Sequence, residues 1–242
     1  MSRILFVFVA AFAALPALAD EALIRKVIES KLGGAKVDAV QAASVPGLYE
    51  VRVRGADGAR IIYTDAEATH IIIGDIYESR TDRNLTEERL RKFSAIDIDA
   101  LPYELAVKVQ RGNGRRSLVV FADPYCPACK RFEKVLAGVQ DITIHYFMYP
   151  VIRPELTDHS RAVWCAPDRA KAWLDLALRG KPVATSATCD APIEKILELG
   201  SRLGVRSTPT LFLATGERVR GGVSASELNA LMDEAASQKG KK

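Results

Sequence analysis

The chain has 242 residues, 48% of them hydrophobic and 26% charged, with a formal net charge of +4. That is the make-up of a globular protein of one large domain or two smaller ones, and it excludes a disordered or low-complexity chain. The basic residues are spread among acidic ones and form no stripe interleaved with aromatics, which argues against nucleic-acid binding.

Residues 1–19 carry one early positive charge at Arg3, an apolar run from Ile4 to Phe12, and an Ala17-Leu-Ala19 ending. A basic start, an apolar middle and small residues before a cut make a secretory signal, cleaved after about Ala19. A membrane anchor would need an apolar run of about 20 residues, and Pro16 interrupts this one. No later stretch is long enough to span a bilayer. Export places the four cysteines where disulfides persist.

Residues 20–79 read as a small α+β unit. Leu23, Ile24, Val27, Ile28 and Leu32 share one helical face, ended by Gly33 and Gly34. Three strand candidates follow at 48–54, at 60–64 after an Asp57-Gly58 turn, and at 69–74. No cysteine and no convergent set of catalytic groups lies here, so the unit is expected to be a scaffold or association module, with His70 a structural side chain. Residues 80–100 are polar with a helical middle: Asn84 and Glu87 have capping-box spacing, and Leu85, Leu90 and Phe93 form a narrow apolar face. This stretch reads as a helical linker.

From residue 101 a βαβ pattern begins. Strand candidates at 105–109 and 117–121 precede Cys126-Pro-Ala-Cys129, and Phe132, Val135, Leu136 and Val139 then recur at helical spacing before another strand at 142–148. Two apolar strands flanking a helix favour a parallel crossover, with the strand-to-helix turn at an end of the sheet. Cys126 therefore opens a helix and is expected to be exposed. A helix start leaves backbone N–H groups unpaired and carries the positive end of the macrodipole, so both favour a thiolate there. Pro127 suits the first helical turn. One turn on, Cys129 faces the same side and can close a disulfide with Cys126, so the pair reads as a dithiol redox switch.

Two other readings of the pair are weaker. Half a zinc site lacks its second half, because Cys165 and Cys189 are far apart and His70, His145 and His159 form no ligand-spaced group. A purely structural bond between neighbouring cysteines would close too small a loop to stabilise much.

Residues 153–203 are helical, interrupted by Pro167, Pro182 and Pro192. With Cys126 and Cys129 assigned to each other, Cys165–Cys189 is the economical second disulfide; its loop closure would stabilise by roughly 3 to 4 kcal/mol in the chain-entropy picture. A second redox pair is the alternative. Four cysteines allow three pairings, so composition alone does not decide. Beyond, Thr208-Pro209 stands just ahead of an apolar strand at 211–214, a position suited to a bend or a cis peptide. Ser224 and Glu227 form a capping box for a last helix with Leu228, Leu231 and Met232 facing inward.

Cys126-Pro-Ala-Cys129 after an apolar strand, with Thr208-Pro209 before the penultimate strand, resembles the active-site dithiol and cis-proline of a thioredoxin fold. From residue 20 to the tail, the chain resembles the DsbC/DsbG family of periplasmic thiol:disulfide interchange proteins. Gly47 to Val51, Ile73-Gly74-Asp75 and Asn84 to Arg89 are similar to that family's N-terminal dimerisation domain and linker helix, and Cys165 and Cys189 match its structural disulfide. Between the redox cysteines stand Pro127 and Ala128, where DsbC proper has Gly-Tyr and DsbG has Pro-Tyr.

The resemblance implies an α/β thioredoxin-like catalytic domain (101–242) with a helical insertion at about 153–203, preceded by a small α+β dimerisation domain (20–79) and a helical linker (80–100). It implies a homodimer joined through the N-terminal domains, in the periplasm, acting on misfolded or misoxidised exported proteins and kept reduced by a membrane reductase of the DsbD type. Cys126 would attack non-native disulfides, Cys129 would resolve the mixed disulfide, and Thr208 and Pro209 would hold the substrate chain. No metal or organic cofactor is called for. Alternatives from the same residues are a DsbG-like reductase of single oxidised cysteines, a thiol oxidase, a periplasmic chaperone, or a metal-binding protein.

Overall fold

The computed structural model describes residues 20–56, 58–184, 189–219 and 222–240. The signal segment and Asp57 of the expected hairpin turn lie outside the described residues. The chain divides into two compact units, one running to Thr86 and the other starting at Glu87.

The first unit opens with α1 (Glu21–Lys31), whose N-terminal amides at Ala22 and Leu23 donate to the Asp20 carboxylate at 3.0 and 3.1 Å. Gly33 and Gly34, both at positive φ, end it. Ile24 and Ile28 are buried, whereas Leu23, expected on the same face, is 40% exposed. Four antiparallel strands follow in the order β1 (Lys36–Ala42), β2 (Tyr49–Gly55), β3 (Gly58–Thr64) and β4 (Ile71–Ile72). Val37, Val51, Val53 and Ile62 pack with Ile24 and Ile28 into one thin core. β1 was not legible from alternation, because its register shifts between Val37 and Ala39 and it buries little besides Val37. A short ladder of β5 (Tyr77–Glu78) and β6 (Arg83–Asn84) leads into α2 (Leu85–Phe93), and the division between the units falls inside this helix. Thr86 ties its start to the first unit: its hydroxyl lies 2.6 Å from Tyr63 OH and accepts from Ile76 N at 2.8 Å.

In the second unit, β7 (Val107–Arg111) and β8 (Arg116–Ala122) lead to α3 (Pro127–Ala137) and β9 (Ile142–Met148). The helices α4 (Asp158–Cys165), α5 (Arg169–Arg179) and α6 (Ile193–Arg202) follow, then β10 (Thr210–Leu213), β11 (Arg218–Val219) and α7 (Ala225–Lys239). One sheet runs β11-β10-β8-β9-β7; β8 and β9 are parallel and the other pairs antiparallel. Central β8 is covered on both faces. Leu118, Val120 and Ala122 join Phe132, Leu136, Trp173, Leu228 and Met232 from α3, α5 and α7. Val119 and Phe121 join Ile196 and Leu199 of α6, together with Phe147 and Phe212. A strand buried on both faces has no polar side to show, which is why it reads as an unbroken apolar run.

The helical stretch breaks near its three prolines into α4, α5 and α6, and α7 is capped by the Ser224 hydroxyl, which accepts from Glu227 N at 3.2 Å. The side of α3 facing the sheet carries one charged group. Glu133 is 1% exposed, accepts from Trp173 Nε1 at 3.2 Å and stands 3.8 Å from the Arg111 guanidinium. Burial raises its pKa against the opposing pull of Tyr146, Trp173 and Arg111. The folded state then holds a proton that the unfolded chain releases, so this group's contribution to stability falls as pH rises above the ordinary Glu range. Glu133→Gln should unfold at higher denaturant concentration than the parent at about pH 8, with the difference closing by about pH 4. Urea titrations across that range provide the measurement.

Candidate active site

Cys126 sits where β8 hands over to α3 and is itself the N-cap residue, with extended backbone (φ −77°, ψ 113°) and Pro127 in the first turn. Its Sγ accepts from Cys129 N at 3.3 Å, so a sulfur takes the place a serine or aspartate oxygen holds at most helix starts. On the opposite side Sγ lies 3.1 Å from the Thr208 carbonyl, to which it donates only while it carries its proton. Thr208-Pro209 is a cis peptide. The buried Thr208 hydroxyl has no hydrogen-bond partner among the described residues. The fold thus brings Cys126, Cys129, Thr208 and Pro209 into one site.

The expected exposure of Cys126 is corrected. Its residue is 3% exposed, because the Thr208-Pro209 loop, 82 residues further along the chain, lies against the sulfur. A strand-to-helix turn on its own would have left it open.

The two thiols are held in opposite states. The Cys126 pKa is lowered to about 5, chiefly by the hydrogen bond from the Cys129 thiol, with help from Thr208 and the backbone N–H groups of Cys129 and Ala128, all against desolvation. Cys129 is pushed far above the ordinary thiol range, first because its proton is bound to Cys126 and second by burial. The arrangement is one nucleophilic thiolate beside one thiol that keeps its proton.

Asp123, three residues ahead of Cys126, was not singled out from sequence. Its buried carboxylate accepts from Tyr125 N at 2.7 Å and from Val151 N and Ile152 N, both at 2.8 Å, so it ties the turn bearing Cys126 to the segment after β9. The Asp123-Pro124 pair was the available signal, since aspartate before proline commonly bonds backbone amides just ahead of it in a turn. Tyr125 stacks edge-on against His159 of α4 at 4.9 Å. Cys165 and Cys189 lie apart from the dithiol, joined to each other with Cα atoms 5.7 Å apart. Among the described residues, no group of three or more His, Cys, Asp or Glu side chains is placed to hold a metal ion. A groove of about 410 Å³ opens beside the dithiol, lined by Ala128, Phe132, Val135, Pro209 and Val223, with Arg131 at its side.

A dithiol on the first turn of a helix, fed by the central strand of a mixed sheet and faced by a cis-proline loop, defines a thioredoxin-like domain. Residues 103–236 match the family described as "Thioredoxin-like domain", and residues 15–87 match "Disulfide bond isomerase protein N-terminal domain". The thiol:disulfide interchange protein DsbC of Escherichia coli is 30% identical over 236 residues, covering 95% of this chain and 94% of that protein. A probable thiol:disulfide interchange protein DsbC of Bordetella parapertussis is 41% identical over 184 residues; the match takes in 76% of this chain but 64% of the relative's length. A disulfide interchange protein from Neisseria gonorrhoeae has a solved structure that superposes with a TM-score of 0.53 at 34% identity, covering 56% of this chain and 99% of that one. The chain belongs to the DsbC family of thiol:disulfide interchange proteins.

Following thiolate ultraviolet absorbance of the reduced protein against pH should give a first transition at about 5 for Cys126. In Cys129→Ala that transition should move up, because the largest stabilising contact is gone. Since the folded pKa lies below the unfolded one, the reduced protein should also gain stability as pH rises from about 5 towards 9.0, and Cys126→Ala should lose that rise.

Proposed function

We propose that this protein is exported to the periplasm and there isomerises and reduces wrong disulfides in other exported proteins. The observation that carries this is the pairing of a lowered thiolate at Cys126 with a protonated thiol at Cys129, both against the Thr208-Pro209 loop. The Cys126 thiolate attacks one sulfur of a substrate disulfide; that S–S bond breaks, a Cys126–substrate S–S bond forms, and the other substrate sulfur leaves as a thiolate. In isomerisation, a different substrate thiolate attacks the mixed disulfide, displaces Cys126 and leaves the enzyme reduced. In reduction, Cys129 gives up its proton and attacks Cys126, the substrate leaves as a thiolate, and two electrons have passed from the dithiol to the substrate. The second route leaves Cys126–Cys129 oxidised, so it calls for a dithiol-bearing membrane reductase of the DsbD type to restore it.

Within this reading, residues 20–79 are the dimerisation domain, 80–100 the linker helix and 101–242 the catalytic domain, with Cys165–Cys189 a structural bond. The support for a homodimer is an uncovered apolar margin in the first unit: Ile72, Ile73 and Tyr77, at and just beyond edge strand β4, are 45%, 68% and 60% exposed. An open strand edge with apolar side chains is suited to pairing with its own copy. Ile73→Glu should shift the protein from dimer to monomer in sedimentation equilibrium; a parent already monomeric at micromolar concentration would refute the assembly.

The direct assay is recovery of activity from a scrambled multi-disulfide substrate by the reduced protein. Wild type should restore activity, Cys126→Ser should not, and Cys129→Ser should accumulate a trapped mixed disulfide. If wild type restores nothing yet still reduces a single mixed disulfide, isomerisation is wrong and reduction of single oxidised cysteines takes its place.

A further inference from the structure

Among the described residues, the groove beside the dithiol is apolar except at its polar loop residues and one charged side chain. Ala128, Phe132 and Val135 of α3 form one wall and Pro209, Gly222 and Val223 the other, with Ser207 and Thr208 at the loop. Arg131 is the charged lining residue; it is exposed and has no acidic partner among the described residues. Its neighbours Lys130 and Lys134 on the same helix likewise have none among them, while Glu133, the one acid in α3, is turned into the core. A volume of about 410 Å³ accommodates a few side chains of an extended segment.

A charge held at the rim of an apolar groove selects partners by sign, because a basic side chain brought into the groove meets uncompensated repulsion and an acidic one is attracted. Arg131 is five residues beyond Cys126, about 7.5 Å along the helix, and lines the same groove as Ala128, Thr208 and Pro209, so the substrate residues that meet it are those within a few positions of the cysteine under attack.

We propose that Arg131 makes this site prefer disulfides whose cysteine is flanked by an acidic residue. The inference rests on the thiol-exchange reading above and adds to it a substrate class. Arg131 takes no part in the bond exchange: it biases which mixed disulfide forms, and the electrons move between the sulfurs as already described.

The test uses the full-length reduced protein in single-turnover reactions with short peptides. Each peptide carries one cysteine in a mixed disulfide with a neutral small thiol, with either Glu or Lys within three residues on both sides. Wild type should react about two- to fivefold faster with the Glu peptide, the range expected for one exposed charge pair. That ratio should shrink as salt is raised. Arg131→Ala should bring the ratio to about one, Arg131→Lys should keep it and Arg131→Glu should invert it, as the sign of one charge demands. Each protein's rate with an uncharged small disulfide is measured alongside, and the Glu-to-Lys ratio is compared between proteins because it cancels any general change in thiol reactivity. A wild-type ratio of about one, or an Arg131→Ala ratio equal to wild type, overturns the assignment while leaving the thiol chemistry standing. Failure of wild type to react even with the uncharged disulfide overturns the thiol-exchange reading and this inference with it.

Discussion

The site depends on one substitution of roles: a sulfur does the capping usually done by oxygen. The first amides of α3 need an acceptor, and Cys126 Sγ supplies it from the N-cap position. The helix end in turn supplies hydrogen-bond donors and a positive dipole that hold the sulfur as an anion. Each half of the exchange would be weak if the helix could shift. It is held at both ends. Asp123 fastens the incoming turn through three backbone amides, and Arg111 of β7 donates to the Leu136 carbonyl near the helix's last turn. The strand that feeds the turn lies at the centre of the sheet and is packed on both faces, so the sulfur's position is set by packing on both sides of β8.

What could be read from the chain was what local pattern encodes. The strand 142–148 and the Ser224 cap fall where periodicity and capping chemistry place them, and the parallel pairing of β8 with β9 follows from the helix between two apolar runs. Patterns that depend on distant partners were not readable. β1 hides its alternation behind a register shift, so only its pairing with β2 reveals it. The burial of Cys126 comes from a loop 82 residues away. Asp123 looks like an ordinary turn residue until the amides of Val151 and Ile152 are folded onto it. Arg131 looks like any solvated helix residue, and its role appears only once Val223 and Pro209 build the opposite wall of the groove.

The opposed protonation of the two thiols also orders events in the proposed cycle. While Cys126 is a free thiolate it accepts the Cys129 proton, and that bond is the largest cause both of the low Cys126 pKa and of the high Cys129 pKa. Once Cys126 enters a mixed disulfide, its sulfur is neutral and no longer a strong acceptor, so the main restraint on the Cys129 proton disappears. Burial remains, and it continues to hold Cys129 in its protonated form. Resolution is therefore released by formation of the mixed disulfide but slowed by desolvation. That interval is the time in which a second substrate thiol can attack and complete an isomerisation. A low-pKa Cys126 is also a good leaving group, which speeds that attack as well as the escape. In the proposed cycle, the burial of Cys129 therefore favours rearranging a substrate over reducing it, and that burial comes from the packing around α3 as well as from the two residues between the cysteines.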